Sequence, residues 1–308
     1  MKKNIAYIAF VALSLIWGAN FLFMKWALEW ISPLQAVFLR VLFGFVPIAV
    51  FALLRRELKW AHLRHAHHFL VMSVMATSFY YWAYAKATVL LDTGVAGLLS
   101  GMIPLCSFFA AWLFLRSEPV NLRTASGIAL SLVGILIIAQ PWQGLQNGIS
   151  IQGVLYMMIG SLSLGASFVY AKRYISPLGL SPVALCTYQI GLALVLLAVV
   201  TDLHGIGNIR QSPVAFSGLA IGLGLSGTGI AYILYYFVVE RLGAVIASAA
   251  TYPPAVISLV LGCLVNGETL QPAHIVAMCA ILGGVFVLQT GRNIAKPVTA
   301  PGLAAAAK

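Results

Sequence analysis

Two side chains inside the first long apolar segment could contact a ligand. Asn20 lies within this segment, and Trp17 precedes it by three residues. Residues three apart on a helix share a face. An amide is costly in apolar surroundings unless it is paired, so Asn20 either binds a ligand's ammonium or carboxylate group or joins two helices. Trp17 either lines the same cavity or packs against a neighbouring helix.

Hydroxyl groups and phenol rings follow one helical face in four later segments. In the third segment Thr77, Tyr81, Tyr84 and Thr88 are spaced by four, three and four residues. Such a face suits a wet cavity that holds aromatic or apolar groups, although aromatic residues also form belts at membrane interfaces. With the equivalent faces of the sixth, eighth and ninth segments, the candidate ligand-binding residues are Trp17, Asn20, Tyr81, Tyr84, Ser163, Ser167, Thr228, Tyr232, Ser248 and Tyr252.

Two cations lie inside apolar segments, Lys25 in the first and Arg40 in the second. Both lie towards the ends of their segments that face away from the N-terminus. Either they extend to the membrane surface along their aliphatic stems, or they hold a ligand carboxylate or gate the mouth of a cavity. We treat both as candidate gating or charge-recognition residues.

Nothing in the sequence resembles a catalytic or metal centre. There is no HExxH motif, no pair of aspartates within an apolar segment and no Walker motif. The four cysteines form no CxxC pair or zinc set. We therefore expect no catalytic residues, no bound metal and no cofactor, and we expect that the protein is not an enzyme.

The composition is that of a membrane protein. Only 8% of the 308 residues are charged and 61% are hydrophobic, whereas soluble domains carry roughly 25% charged residues. A membrane-spanning helix needs about 20 apolar residues, and backbone groups in lipid must be satisfied internally. Long apolar runs without strict alternation favour helices over a barrel.

Polar breaks divide the chain into ten predicted spans, at about residues 5–28, 34–54, 67–87, 93–115, 122–139, 151–171, 181–201, 213–238, 244–265 and 271–290. With a cytoplasmic N-terminus, fourteen of the 18 Lys and Arg residues lie on the cytoplasmic side and two on the other side, and the remaining two are Lys25 and Arg40. This asymmetry follows the positive-inside rule. It attributes the net charge of +11 to contact with anionic lipid and requires no nucleic acid.

The two halves of the chain repeat the same pattern of breaks. At an offset of 150 residues, Pro104 matches Pro254, Glu118 matches Glu268 and Gly134 matches Gly284. Five spans per half is an odd number, so the halves must have opposite orientations, as in the inverted repeats of secondary transporters. We expect a first repeat at residues 1–140, a second, inverted repeat at 141–292 and a flexible tail at 293–308.

The motif Trp17-Gly18-Ala19-Asn20-Phe21, followed by Lys25 and Arg40 and by the two Pro and Glu pairs, resembles the EamA type of the drug/metabolite transporter superfamily. The resemblance covers nearly the whole chain. It implies an all-α carrier of ten transmembrane helices, arranged as two inverted five-helix repeats around a central cavity. Members export amino acids, other metabolites and drugs across the bacterial inner membrane. The second repeat departs from the motif, with Leu164-Gly165-Ala166-Ser167-Phe168 in its place.

The aromatic content is similar to that of the aromatic amino acid exporter branch. The resemblance and the spans together predict a monomeric secondary transporter that exports aromatic and other neutral amino acids by alternating access. Both termini are expected in the cytoplasm, and the expected partners are a small-molecule substrate and membrane lipid. The alternatives are an exporter of drugs or other metabolites on the same fold, and a membrane-embedded enzyme.

Overall fold

The helices follow one another with short connections. A computed structural model describes residues 2–115, 121–140, 150–242 and 250–294, and no strand is found within these ranges. We number the ten helices of this part in chain order: α1 Lys2–Leu28; α2 Pro33–Leu54; α3 Ala66–Ser73, Val74–Ser78 and Phe79–Leu90; α4 Thr93–Ser100 and Ile103–Leu115; α5 Leu122–Ala139; α6 Ile151–Tyr170; α7 Pro182–Val200; α8 Pro213–Ser217, Gly218–Ile230 and Ala231–Leu242; α9 Pro253–Asn266; α10 Pro272–Ile294. Short 3-10 turns lie at Trp60–His65, Ser176–Leu178 and Ile206–Gln211, and a π turn at Ala171–Ile175 extends α6.

Eight helices of the described part are long and apolar enough to cross a membrane. The other two are α9, which is short, and α3, whose tyrosines, histidines and Lys86 make it more polar. Large apolar side chains cover the outside of the bundle, among them Val199, Leu264 and Phe286, which are 81%, 78% and 69% exposed. An apolar exterior of this kind is suited to lipid rather than water. The prediction of an all-α polytopic membrane protein is therefore confirmed.

Serine-proline pairs begin three of the helices, as their sequence predicts. Ser32, Ser181 and Ser212 each accept a hydrogen bond from the backbone N–H three residues later, and a proline follows each of them. The hydroxyl satisfies an N–H group that has no partner within the helix. Proline is favourable at the first position of a helix, because the N–H that it lacks would have no partner there and because its fixed φ suits a helix.

Besides the π turn that extends α6, two helices contain internal π-helical stretches, in which each N–H bonds to the carbonyl five residues earlier. The stretch in α3 is Val74–Ser78, and the longer one in α8 is Gly218–Ile230. Glycines make the second stretch a shallow groove: the ring of Phe23 lies over Gly222, and Pro47 lies over Gly229. Stretches of this kind often occur at functional sites.

The last helices of the two halves pack against each other in opposite directions. Gly127 contacts Leu288, and Gly134, further along α5, contacts Ile281, which comes earlier in α10. The two helices are therefore antiparallel. The contacts are also reciprocal: Gly284 contacts Ser131. An offset of 150 residues converts one pair into the other, because Gly134 matches Gly284 and Ser131 matches Ile281.

The first helices of the two halves show the same reciprocity. Gly18 of α1 lies so close to Ile257 of α9 that no β-carbon would fit, and Gly165 of α6 lies equally close to Ser107 of α4. These glycines come from the two motifs that correspond in sequence. At the level of helices, α1 packs on α8 and α9 while α6 packs on α3 and α4. Each helix of one half thus makes the contacts that its counterpart makes in the other half, with the two halves in opposite directions. This relation requires a pseudo-two-fold axis perpendicular to the helices, which confirms the inverted repeat.

The bundle has two ends. We call the end where α1 begins the amino-terminal end, and the end where α1 meets α2 the opposite end. Because successive helices alternate in direction, the turns before α3 and α7 lie at the amino-terminal end. The turns before α4, α8 and α10 lie at the opposite end.

Candidate functional site

Arg40 is buried in the bundle and makes no contact with a carboxylate in the part of the chain that the structure describes. It lies seven residues after Pro33, or ~10 Å into α2. Its Nε donates to the hydroxyl of Thr228 at 3.0 Å, and its guanidinium carbon lies 3.8 Å from the centre of the Tyr81 ring. The residue is only 8% exposed, so it does not extend to the surface. A buried cation without a counter-ion is costly, which makes Arg40 a candidate anion site.

Asn20 meets the same stretch of α8 one residue earlier. Its carbonyl oxygen lies against Gly227, where a β-carbon would overlap it, and Gly227 immediately precedes Thr228. This oxygen is buried and has no hydrogen-bond partner among the described residues. A buried polar atom left unpaired costs about 1–3 kcal/mol. Helices α1 and α2 therefore direct two polar groups with unused bonding capacity to successive residues of α8.

Aromatic rings cover one side of this polar centre. Tyr81 is 4% exposed, and Tyr80 lies 5.0 Å from it between ring centres. Tyr232, one turn after Thr228 in α8, lies beside Tyr81. Rings in this arrangement could stack on an aromatic or apolar side chain. The structure thus brings together Asn20, Arg40, Tyr81, Thr228 and Tyr232 from four helices.

Three other predicted residues are engaged in packing between or within helices. The hydroxyl of Tyr84 bonds to Ser161 of α6 at 2.8 Å. Ser163 donates to the carbonyl of Met75 at 2.8 Å, within the π stretch of α3, and Ser167 donates to Leu164 of its own helix at 2.6 Å. The hydroxyls of Tyr84 and Ser163 fix α6 against α3, and none of the three hydroxyls is directed to the polar centre.

The remaining predicted residues lie elsewhere. Trp17 is half-buried against Tyr235 of α8, 5.9 Å away between ring centres and towards the amino-terminal end. Lys25 donates to the carbonyls of Thr88 and Leu91 at 3.1 and 2.7 Å, and so caps the end of α3. Tyr252 packs against the apolar cluster between α4 and α10. Ser248 lies outside the described residues.

The two ends of the bundle differ in the size of their cavities. At the opposite end a cavity of about 530 Å³ is lined by the α1–α2 turn, the ends of α3 and α6, and the turn before α8. Towards the amino-terminal end, Tyr232, Tyr236 and Cys186 leave a void of about 10 Å³. The hydroxyl of Tyr236 and the thiol of Cys186 are hydrogen-bonded at 2.6 Å. The void between these side chains is too small for a substrate.

Glu268 explains part of the repeated sequence pattern. Its carboxylate accepts hydrogen bonds from the backbone N–H groups of Thr93 and Gly94, at 2.6 and 2.9 Å. These groups begin α4, where a negative charge is favourable. Asn266 adds a bond from its amide to the Thr93 hydroxyl at 2.9 Å. The second half thus caps a helix of the first half. The matching Glu118 lies outside the described residues.

Comparisons with known proteins agree with this architecture. Two parts of the chain, residues 4–140 and 151–290, match the EamA-like transporter family in sequence. The chain belongs to this family. Two relatives of this EamA-like protein are the uncharacterized inner membrane transporter YedA of Escherichia coli (strain K12), 25% identical over 95% of this chain and 94% of its own, and an uncharacterized transporter of Archaeoglobus fulgidus, 23% identical over 88% and 94%. A crystal structure with 17% identity covers 95% of this chain and 99% of its own with a TM-score of 0.60, which shows the shared fold.

Together with the apolar helices, family membership makes the protein a multi-pass membrane transporter. Its relatives are also named as transporters. The prediction of the EamA type from the Trp17–Phe21 motif is therefore confirmed. In this EamA-like protein the two glycines of the corresponding motifs, Gly18 and Gly165, provide the close contact between halves. Asn20, which only the first motif contains, lies at the polar centre.

Sequence reasoning missed one residue close to the centre, Gln189, although it noted the polar face that contains Thr77. The amide nitrogen of Gln189 in α7 donates to the hydroxyl of Thr77 in α3 at 2.8 Å, and both residues are buried. A usable signal was present, because Arg40 and Gln189 each lie seven residues after the proline that begins their helix. Their offset is 149 residues, one short of the offset that the prolines, glutamates and glycines share, and a fixed offset of 150 conceals the match.

Proposed function

We propose that the protein is a secondary transporter that exports amino acids, aromatic and other neutral ones, across the bacterial inner membrane by alternating access. The observation that carries the proposal is Arg40: a buried guanidinium that contacts a hydroxyl and an aromatic ring and no carboxylate of the described chain. A substrate carboxylate would supply the missing negative charge. Arginine suits this role because its planar donors match a carboxylate.

The side chain of the substrate would pack on the rings near Arg40. Tyr81 and Tyr232 offer apolar faces at the centre, and Asn20 offers an unpaired oxygen to the polar end of the substrate. Trp17 lies nearer the amino-terminal end and would line the path of entry. The absence of a charged ring around this centre, within the described helices, favours a carrier over an ion channel.

Alternating access follows from the two inverted repeats. The asymmetry of Lys and Arg supports an amino-terminal end in the cytoplasm, and in that orientation the cavity of about 530 Å³ would face outward. The contact of Tyr236 with Cys186 then closes the cytoplasmic side. In the inward-facing state the two repeats would exchange their packing, so that this contact opens and the outer cavity closes.

Counterflow in proteoliposomes tests the proposal. Vesicles loaded with unlabelled amino acid should take up labelled phenylalanine, methionine and threonine in a saturable way, and phenylalanine should be fastest. An imposed pH gradient, in a parallel series, separates proton coupling from facilitated exchange. Lack of exchange with all three amino acids, in vesicles whose protein remains folded, would refute the proposal and direct the search to drugs or other metabolites.

A further inference from the structure

Gln189 and Thr77 form a buried polar pair with no charge. Gln189 is 3% exposed and Thr77 is 1% exposed, and the Gln189 amide nitrogen donates to the Thr77 hydroxyl at 2.8 Å. The amide oxygen of Gln189 has no hydrogen-bond partner among the residues that the structure describes. This oxygen is not among the fully enclosed, unpaired side-chain atoms of the described residues, so a donor group of a ligand could still reach it.

The pair is the pseudo-two-fold counterpart of Arg40 and Thr228. Arg40 and Gln189 occupy the same position in the corresponding helices α2 and α7, seven residues after the first proline. Each donates to a threonine in a π stretch of the opposite repeat, Thr228 in Gly218–Ile230 and Thr77 in Val74–Ser78. The two halves therefore hold a donor side chain and a threonine in the same arrangement. They differ in the donor, which is a guanidinium in the first half and an amide in the second.

That difference separates two kinds of ligand group. An arginine side chain carries only donors, whereas a glutamine amide also carries an acceptor oxygen. Arg40 can therefore hold an anion, and Gln189 can hold a group that donates N–H bonds. Two identical side chains at positions 40 and 189 would bind two ligand groups of the same kind. In this chain Arg40 supplies donors and Gln189 supplies an acceptor.

Both pairs meet the same helix. Gln189 bonds to Thr77, and Arg40 stacks on Tyr81 four residues further along α3. The two contacts are thus about one helical turn, or ~6 Å, apart along the helix. A ligand whose anionic and cationic groups are attached to one carbon atom could reach from one to the other.

We propose that Gln189 is a specificity-determining residue, whose amide oxygen binds the ammonium group of the substrate while Arg40 binds the carboxylate. The inference rests on the proposed function and defines its substrate class more narrowly, as α-amino acids in preference to simple carboxylic acids. Thr77 is a positioning residue, because its hydroxyl holds the Gln189 amide in orientation.

Competition against labelled phenylalanine in nanodiscs tests the role of Gln189. The competitors are phenylalanine and 3-phenylpropanoate, which has the same ring and carboxylate and lacks the ammonium group. The wild-type protein should prefer phenylalanine by roughly tenfold, the effect of one charge-assisted hydrogen bond. In Gln189→Leu the preference should fall well below the wild-type ratio, because phenylalanine weakens and 3-phenylpropanoate does not, while the Asn20 oxygen would retain part of the contact with the ammonium group.

Gln189→Glu provides a second readout that does not depend on an apolar replacement. A carboxylate at this position attracts the ammonium group more strongly, so the preference should rise above the wild-type ratio. A ratio that stays at the wild-type value in both variants would overturn the role of Gln189. So would an equal loss of both ligands in Gln189→Leu, which indicates only a structural role. Binding of neither ligand by the wild-type protein would overturn the proposed function itself.

Discussion

Arg40 and Tyr81 form one recognition unit at the residue scale. The guanidinium carbon lies 3.8 Å from the centre of the ring, so the ring can fix the orientation of the cation. Lys25 illustrates the opposite outcome, since its ammonium group binds two backbone carbonyls at the end of α3. Both residues are cations in apolar segments. Only three-dimensional contacts distinguish them.

The Tyr81 ring should favour aromatic substrates. Tyr81→Ala removes a stacking surface worth about 0.5–1.5 kcal/mol, so counterflow of phenylalanine should slow by roughly two- to tenfold more than counterflow of threonine. The measurement is the ratio of the two initial rates in the same vesicle preparation. An equal loss for both amino acids would sink the stacking role.

Tyr84→Phe is the matched control for this experiment. It removes a hydroxyl that bonds to Ser161 and leaves the ring in place. We expect it to lower the free energy of unfolding by about 1 kcal/mol, as measured by chemical denaturation in detergent. The ratio of phenylalanine to threonine rates should stay at the wild-type value.

At the scale of elements, the contact between α5 and α10 sets the spacing of the two halves. A β-carbon at Gly284 would lie 2.6 Å from the carbonyl oxygen of Gly127, whereas at Gly283 the nearest atom would be Leu130 Cδ2 at 3.8 Å. Gly284→Ala should therefore destabilise the protein by about 1–3 kcal/mol, and Gly283→Ala should have little effect. Melting temperatures of the two neighbouring variants provide the comparison, and equal values would contradict the close packing.

The helix pattern could be predicted from sequence because it depends on local chemistry. Serine-proline pairs begin α2, α7 and α8 where the sequence places them. The duplication was also visible, since the offset of 150 that aligns Gly134 with Gly284 also describes their contacts across α5 and α10. These features depend on neighbours in the chain or on a fixed repeat.

The candidate site could be predicted only in part. Asn20, Arg40, Tyr81, Thr228 and Tyr232 converge, but the hydroxyls of α6 do not join them, because periodicity identifies a shared face and not the helix that covers it. The π stretches, which set the positions of Thr77 and Thr228, have no distinctive composition apart from the glycines of α8. Gln189 was missed because α7 and α2 are related by an offset of 149 residues, one short of the offset of 150 that aligns the later helices.

At the scale of the whole molecule, the wide cavity at one end and the contact between Tyr236 and Cys186 at the other make the two ends of the bundle different. We expect Asn208→Cys, in a variant without the four native cysteines, to react with a membrane-impermeant maleimide on intact cells, because Asn208 lines the cavity that the proposed orientation directs outward. Leu63→Cys, in the turn before α3 at the amino-terminal end, should react only after the cells are opened. The reverse pattern would invert the orientation of the protein.

The most direct test of carboxylate recognition compares phenylalanine with phenylalaninamide, which lacks the negative charge, in wild-type protein and in Arg40→Gln. The replacement reproduces the glutamine-threonine pair that the second half already contains, so the variant should fold. Wild-type counterflow should prefer phenylalanine by at least tenfold, and Arg40→Gln should lose this preference through slower transport of phenylalanine. A folded Arg40→Gln variant that keeps the wild-type preference would show that Arg40 does not bind the substrate carboxylate.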